Sequence, residues 1–177
     1  MRTINKEKIL NSLGEVVVLL GGQSDEREVS LKSGAAVFDS LNRLGVSVSM
    51  IDVGPAIVND LVTSNPDMVV NMLHGEGGED GSIQGLLEQL DLPYTGSGVT
   101  ASALAMDKLR CKQMWQGIGL STADFAVLNA QSDWLAILRS LGGKVMVKPA
   151  CEGSSIGMSR AETPTQLKRA WQQAAEF

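Results

Sequence analysis

A glycine-rich loop directly after an apolar run is the feature that most constrains this fold. The run at residues 68–73 leads into HGEGGEDG at residues 74–81, which holds the only histidine of the chain and three acids. An apolar run of this length is typical of a buried strand, and open α/β sheets bind ligands at the carboxyl ends of their strands. Because glycine lets a backbone bend sharply and approach a ligand closely, residues 74–81 are predicted to form a contact loop.

The first part of the chain alternates between strand-like and helix-like patterns. Residues 15–20 are mostly Val and Leu, as in a strand buried on both faces, and the run ends at Gly21 and Gly22. Acids in the next turn and Gly45 at the far end indicate a helix. The order strand, helix, strand, strand, loop and helix predicts a small parallel α/β unit. Its later elements are strands at residues 46–53 and 68–73 and an amphipathic helix at residues 82–90.

The pattern changes in the second half of the chain. Residues 99–115 predict one continuous helix, and residues 125–128 predict a short strand. Thr163 as N-cap, with Pro164 and Gln166 at the first and third helical positions, predicts a final helix. Other predicted features are a helix face at Trp134, Leu138 and Leu141, a strand at residues 144–149, and a buried helix face at Leu167, Trp171 and Ala174.

Composition and charge exclude several classes of protein. With 44% hydrophobic residues, the 177-residue chain can bury a core. A net charge of -5 without a Lys or Arg cluster argues against nucleic acid and anionic membranes as partners. No apolar run approaches the ~20 residues of a membrane span, and no signal-peptide core is present, so a cytoplasmic protein is expected. Cys111 and Cys151 are expected to be free thiols rather than a disulfide framework or zinc site.

Lys148 and the loop after it have the composition of a phosphate site. The lysine closes a predicted strand, and residues 153–157 offer consecutive backbone N–H groups. A hairpin turn beside a solvated lysine fits the same spacing equally well. The segment is not a Walker A motif, which requires Gly-Lys-Ser/Thr at the end of the loop before a helix.

Four segments together resemble the D-alanine–D-alanine ligases of the ATP-grasp superfamily. They are GGQSDEREVS at residues 21–30, HGEGGEDG at residues 74–81, MDKLR at residues 106–110 and KPACEGSSIG at residues 148–157. The resemblance extends from about Val16 to the last residue. It implies an α/β fold, with a parallel-sheet, Rossmann-like preATP-grasp domain at residues 1–96 that binds D-alanine. An incomplete α+β small lobe of an ATP-grasp module would follow at residues 97–177.

Glu26 and His74 are the candidate substrate-binding residues. Acids are favoured in any first helical turn, and a lone histidine after a strand is more often structural, so neither position indicates function by itself. The resemblance implies that Glu26, also a candidate catalytic residue, meets the amino group of the first D-alanine, and that His74 donates to its carboxylate. Ser30 is expected to pack or cap. Glu79 and Asp80 precede a helix and are interpreted as loop and cap residues, not metal ligands.

The candidate ATP-binding residues are Lys108, Lys148, Ser154 and Ser155. By itself, Lys108 is typical of a surface lysine on a helix. The resemblance implies that both lysines contact the ATP phosphates. It also implies that the two serines line a loop closing over the γ-phosphate, with Ser154 as a further candidate catalytic residue. Cys151 stands where an arginine is expected, which is a departure from the family pattern at one charge contact.

The activity that the resemblance implies is the ATP-dependent joining of two D-alanines for peptidoglycan synthesis. One carboxylate would be phosphorylated to an acylphosphate, which the second amine attacks through a tetrahedral intermediate. ATP and Mg²⁺ are the expected cofactors, D-alanine and ATP the expected ligands, and a homodimer through the N-terminal domain the expected assembly. The metal ligands are expected in a further lobe outside this sequence, so an inactive N-terminal fragment is expected.

Two alternatives remain open from the sequence. A related ligase could take D-lactate as its second substrate, and the residues that select this substrate are expected outside the sequence. The chain could instead be a non-catalytic binding or dimerisation module left by truncation. Turnover of D-alanine with ATP by the chain alone would exclude that module.

Overall fold

The chain forms two compact units, Met1–Ala103 and Leu104–Phe177. A computed structural model describes residue 10 and residues 12–177. The boundary between the compact units lies a few residues beyond the domain boundary that the resemblance implies, which separates residues 1–96 from residues 97–177. The division into those two functional domains stays a prediction. Each unit has its own cluster of buried apolar side chains.

Within the described residues, the first unit contains a parallel sheet in the order β2-β1-β3. The strands are β1 (Val16–Gly21), β2 (Val48–Val53) and β3 (Met68–Asn71). Val16 of the central strand lies opposite Val48 on one side and Met68 on the other. All of β1 is buried, which confirms the prediction of a strand covered on both faces.

One face of the sheet is covered by α1 (Arg27–Leu44), which ends at Gly45 as predicted. Gly45 has φ 87°, and its N–H donates to the carbonyl of Asn42. The helix packs very closely, because a Cβ built on Gly34 would lie 2.5 Å from the Cβ of Leu20. A residue without a side chain is therefore needed at position 34.

The other face of the sheet is covered by α2 (Ile57–Ser64) and α3 (Ser82–Gln89). Their buried side chains share one cluster with alternate residues of the strands, because successive residues of a strand point to opposite faces. This arrangement leaves no exposed face on the central strand. The cluster consists of Val17, Leu19, Leu61, Val69, Leu73, Ile83 and Leu87.

Helix α2 corrects the sequence prediction, which passed directly from the second strand to the third. Two parallel strands of one sheet cannot be joined by a tight turn and need a crossover, usually a helix. The signal was present in Ile57, Val58, Leu61 and Val62, which repeat at helical spacing. Asn65 then ends the helix in the left-handed conformation, with φ 44°.

The second unit contains a hairpin of β4 (Val145–Val147) and β5 (Ser159–Ala161), which pair antiparallel. The predicted strand at residues 144–149 is confirmed as β4, whereas β5 was not predicted. Residues 125–128 form no strand, so that prediction was wrong. β5 has only three residues, too few to show a clear alternation in the sequence.

The predicted helix at residues 99–115 is two helices, α4 (Val99–Met106) and α5 (Lys108–Gly117). Asp107 separates them in an extended conformation and acts as the N-cap of α5. Its carboxylate accepts the N–H of Arg110 at 3.0 Å. Aspartate is a favoured N-cap residue, because its side chain accepts a backbone N–H at the start of a helix. The helical pattern of the sequence therefore continues through Asp107, although one helix ends and the next begins there.

The last two helices, α6 (Trp134–Ser140) and α7 (Pro164–Ala174), cover the hairpin. Thr163 caps α7 by accepting the N–H of Gln166 at 3.2 Å, as predicted. The rings of Trp134 and Trp171 lie 5.6 Å apart. The buried cluster of this unit consists of Leu138, Val147, Ala161, Leu167, Ala170 and Ala174.

The two cysteines lie in different surroundings. Cys111 is buried, and its Sγ lies 3.0 Å from the carbonyl oxygen of Leu104, whereas Cys151 is exposed. Neither forms a disulfide within the described part of the chain. The helices described there are all too short or too polar to cross a membrane.

Substitution of two helical glycines by alanine tests the close packing of α1. Gly34→Ala places a methyl group against Leu20, and we expect overpacking to lower the free energy of unfolding by about 1–3 kcal/mol. Gly85→Ala in α3 is the matched control, because its Cβ would have ordinary contacts with its nearest neighbour at 3.9 Å. It should stabilise the chain by up to ~1 kcal/mol through helix propensity. Urea unfolding followed by circular dichroism measures both, and equal effects would contradict the packing described.

Candidate functional site

A cavity of about 440 Å³ opens at the carboxyl edge of the parallel sheet. Its walls are the loops that follow the three strands, including Gln23 and Ser24 after β1, Pro55 after β2 and His74 after β3. Small-molecule sites typically have volumes of about 300–1,000 Å³, and this edge is where open α/β sheets bind ligands. The predicted contact loop is therefore part of a cavity wall.

The N-terminal part of α1, with its N-cap, presents a polar face to the segment after β3. We call Glu26, Ser30 and Ser33 the polar face of α1, since they recur at helical spacing. Ser30 is fully buried and donates to the carbonyl of Met72 at 2.7 Å, so it packs and bonds as expected. This contact fixes the helix against the end of β3.

His74 is held through its ring and its backbone. Its Nε2 lies 3.2 Å from the Oγ of Ser33, and its Nδ1 lies 3.8 Å from a carboxylate oxygen of Glu79. Its carbonyl accepts the hydroxyl of Ser24 at 2.7 Å. The imidazole is about one-third exposed, so it is oriented by the protein yet reachable from the cavity that it lines.

Glu26 lies beside the same loop. It is the N-cap residue of α1, but its side chain makes no capping hydrogen bond. A Cβ built on Gly75 would lie 3.0 Å from the Glu26 carboxylate, so the two segments are in close contact. Only 6% of Glu26 is exposed and it lies outside the cavity lining. The structure thus brings Glu26 and His74 to one loop, with His74 in the cavity wall and Glu26 behind it.

Ser24 connects these two residues and was not identified from the sequence. Its Oγ accepts the N–H of Glu26 at 3.2 Å and donates to the carbonyl of His74 at 2.7 Å. A serine two residues before an N-cap is a local turn signal. The bond to His74 spans fifty residues of sequence, so no local pattern could predict it.

The acids of the loop fold its backbone. Glu79 accepts the N–H of Gly75 at 3.0 Å, while Asp80 accepts the N–H groups of Gly77 and Ser82, each at 2.9 Å. Partial burial raises the pKa of Asp80, but these hydrogen bonds outweigh that effect and hold the pKa below its usual value. Glu79 and Asp80 are thus loop residues, as predicted, whereas the N-cap of α3 is Gly81 and no side chain caps that helix.

An ion pair fixes the turn after β1. Arg27 donates two hydrogen bonds to Asp52, at 2.7 and 2.6 Å, and one to the carbonyl of Gly22 at 3.0 Å. The pair lies over Gly21, which has φ 77° and whose Cβ would lie 2.1 Å from Asp52. A side chain there would displace the ion pair and would be strained by the positive φ. No local pattern indicates this pair, because its partners lie on different elements.

Lys108 is tied to the loop that follows β4. Its backbone N–H donates to the carbonyl of Ala150 at 2.9 Å. Its ammonium donates to that carbonyl at 3.5 Å and also to the carbonyl of Glu152. The structure therefore brings Lys108 to the base of the predicted phosphate loop and gives it a structural role there, while its contact with phosphate stays a prediction.

The predicted phosphate loop, residues 153–157, contains a tight turn. Ser154 and Ser155 have φ of 45° and 66°, and the N–H of Ile156 donates to the carbonyl of Gly153 at 2.9 Å. Two central residues with positive φ are typical of a type I′ turn, in which serine is strained. The prediction of available N–H groups from residue 153 to residue 157 is corrected at Ile156, whose N–H is used within the turn.

Lys148 and Pro149, which precede this loop, differ in exposure, and the second of them packs against the end of the loop. Lys148 is exposed and follows the buried Val147, while Pro149 is buried. Gly157, with φ 62°, lies so close to Pro149 that a Cβ there would be 2.7 Å from the proline ring. The loop is thus closely packed at its base, and both of its serines are exposed.

Comparison with known proteins identifies the family. The family model described as "D-ala D-ala ligase N-terminus" matches residues 55–97, and the one described as "D-ala D-ala ligase C-terminus" matches residues 114–177. D-alanine–D-alanine ligase B of Pseudomonas putida is 55% identical over 168 residues, which are 95% of this chain and 53% of that protein. The chain belongs to the D-alanine–D-alanine ligase family.

Further ligases agree with this membership. The D-alanine–D-alanine ligase of Stutzerimonas stutzeri is 49% identical over 177 residues, covering 100% of this chain and 56% of that protein. The chain spans about half the length of the curated ligases that it matches.

Solved ligases share the fold. The D-alanine–D-alanine ligase of Bacillus anthracis gives a TM-score of 0.80 at 31% identity, covering 92% of this chain and 54% of that one. Its complex with ATP gives 0.75 at 27% identity, covering 92% and 55%. The ligase of Coxiella burnetii gives 0.78 at 27%, covering 92% and 60%. These similarities confirm the predicted fold class.

Substitution of two glycines in the loop of residues 74–81 separates the cost of steric contact from the cost of backbone strain. Gly75 and Gly77 both have positive φ, but only Gly75 would place a Cβ against Glu26 and Ser24, since Gly77 faces open space. We expect Gly77→Ala to cost about 1–2 kcal/mol through its left-handed backbone. Gly75→Ala should cost about 1–3 kcal/mol more through overpacking. Urea unfolding measures the difference, and equal losses would show that Glu26 does not contact the loop as described.

The ion pair predicts a pH-dependent stability. The hydrogen bond from Arg27 lowers the pKa of Asp52, so the pair stabilises the fold above the unfolded-state pKa and loses its effect as the pH falls through the lower folded-state pKa. Asp52→Asn should therefore lower the urea midpoint at neutral pH by a small amount, as for exposed pairs, and have no effect in strong acid. Asp39→Asn, an exposed change on α1, is the control. A difference that persists in acid would contradict the linkage.

Proposed function

We propose that this chain serves the ATP-dependent ligation of two D-alanines to D-alanyl-D-alanine, for peptidoglycan synthesis in the cytoplasm. Membership of the ligase family supports this activity, and a solved relative is described as complexed with ATP. Residues 1–96 are proposed to bind the first D-alanine and to form the interface of a homodimer. Residues 97–177 are proposed to bind the ATP phosphates.

The observation that carries the proposal is the arrangement at the carboxyl edge of β1 and β3. Glu26 and His74 follow neighbouring parallel strands and lie on loops joined through Ser24. D-alanine is a zwitterion with one ammonium and one carboxylate. The carboxylate of Glu26 complements the first, and an imidazole N–H of His74 complements the second.

Glu26 is proposed to act by fixing the first D-alanine in position. Because the carboxylate is buried, an ammonium that reaches it would form a bond that is little screened by solvent. Holding the amino acid at both ends fixes the position of its carboxylate, the group that is phosphorylated in the proposed reaction. Such positioning turns a bimolecular encounter into an oriented one.

Phosphorylation brings a carboxylate and a phosphate together, and their repulsion must be offset. We propose that Lys108 and Lys148 supply positive charge to the ATP phosphates, and that Ser154 and Ser155 present the turn of the loop to the γ-phosphate. The carboxylate oxygen attacks the γ-phosphorus and releases ADP. The second amine then attacks the acyl carbon, and phosphate leaves the tetrahedral intermediate.

Mg²⁺ belongs to the activity that the family implies. Among the described residues, no group of three or more His, Cys, Asp or Glu could hold a metal ion.

Glu26→Gln tests the proposed binding of D-alanine. The change removes the charge but keeps the shape, and loss of one charged hydrogen bond at about 1.5–3 kcal/mol corresponds to a roughly ten- to hundredfold weaker affinity. NMR titration of the isotopically labelled chain with D-alanine measures this effect, with L-alanine as the ligand control.

Glu28→Gln is the matched control for this experiment. Glu28 lies in the first turn of α1 and is exposed, so it has the same charge near the same helix end but, unlike Glu26, is not buried. D-alanine affinity should stay within twofold of the parent. If Glu26→Gln also stays within twofold, or if both variants lose affinity equally, Glu26 does not bind the ammonium.

A further inference from the structure

Ser33 touches the imidazole of His74 from the polar face of α1. Its Oγ lies 3.2 Å from His74 Nε2 and also 3.3 Å from the carbonyl of Ser30, one turn earlier in the helix. A hydroxyl has one hydrogen and two lone pairs. It can therefore donate to Nε2 or to the carbonyl, but not to both at once.

The other ring nitrogen faces a negative charge. His74 Nδ1 lies 3.8 Å from one oxygen of Glu79, whose second oxygen accepts the N–H of Gly75. That hydrogen bond holds the carboxylate beside the ring. A lone pair on Nδ1 would be repelled by the carboxylate, whereas an N–H is attracted to it.

We propose that Ser33 is a positioning residue that holds neutral His74 as its Nδ1–H tautomer. The Ser33 hydroxyl donates to Nε2, and the single ring hydrogen lies on Nδ1, toward Glu79. In a neutral histidine, the hydrogen bond that one ring nitrogen makes determines which of the two nitrogens carries the hydrogen. The separation of 3.8 Å is too long for a hydrogen bond to Glu79, so the Nδ1–H can still donate to a ligand.

This tautomer gives the site a defined donor. The role of this tautomer rests on the proposed function, in which His74 donates a hydrogen bond to the carboxylate of D-alanine. With Nε2 occupied by Ser33, that donor is Nδ1–H. Ser33 thereby acts through His74, without touching the substrate itself.

The single histidine of the chain makes the tautomer directly measurable. A long-range ¹H–¹⁵N correlation spectrum of the labelled chain at about pH 9, well above the ordinary histidine range, shows which nitrogen carries the hydrogen. We expect a protonated, pyrrole-type shift at Nδ1 and an unprotonated, pyridine-type shift at Nε2. The opposite pattern in the parent chain would overturn the proposal without any substitution.

Three variants isolate the role of the hydroxyl. Ser33→Ala should move the tautomer ratio toward Nε2–H by about two- to tenfold, the effect of one net hydrogen bond, and Ser33→Thr should restore it. Ser40→Ala is the control, because Ser40 is exposed on the same helix and its hydrogen bond is with Arg43, not with His74. An unchanged spectrum in Ser33→Ala overturns the proposal. Since no ligand is present, the result is independent of whether D-alanine binds.

Discussion

Hydrogen bonds between the start of α1 and the segment after β3 hold the site together. Backbone groups that leave a strand lose their ladder partners and must find others when they are buried. Ser30 satisfies the carbonyl of Met72, and Ser24 satisfies that of His74. These bonds place the loop of residues 74–81 against the helix, so the positions of Glu26 and His74 depend on them.

Those bonds require a close approach of α1 to the sheet. Gly34 allows the helix to contact Leu20, and Gly75 leaves room for the carboxylate of Glu26. Added side chains at either position would separate the elements that the serines connect. Packing and hydrogen bonding therefore depend on each other here, as expected of an interior in which polar groups must be satisfied.

Much of the fold could be predicted because its signals are local. The apolar run of β1, Gly45 at the end of α1 and Thr163 at the start of α7 each indicate their own structure. The exceptions have physical reasons. Helix α2 follows from the need to connect parallel strands, and the break at Asp107 follows from a cap within a continuous pattern. The contacts of Ser24 and Ser33 join distant parts of the chain, so only the folded structure reveals them.

A crystal structure of the chain with D-alanine would show whether Glu26 and His74 hold the ligand. We expect D-alanine to lie at the carboxyl edge of β1 and β3, with its ammonium within hydrogen-bond distance of Glu26 and its carboxylate facing Nδ1 of His74. D-alanine bound in this cavity without contact to either side chain, or bound only elsewhere on the chain, would contradict this expectation.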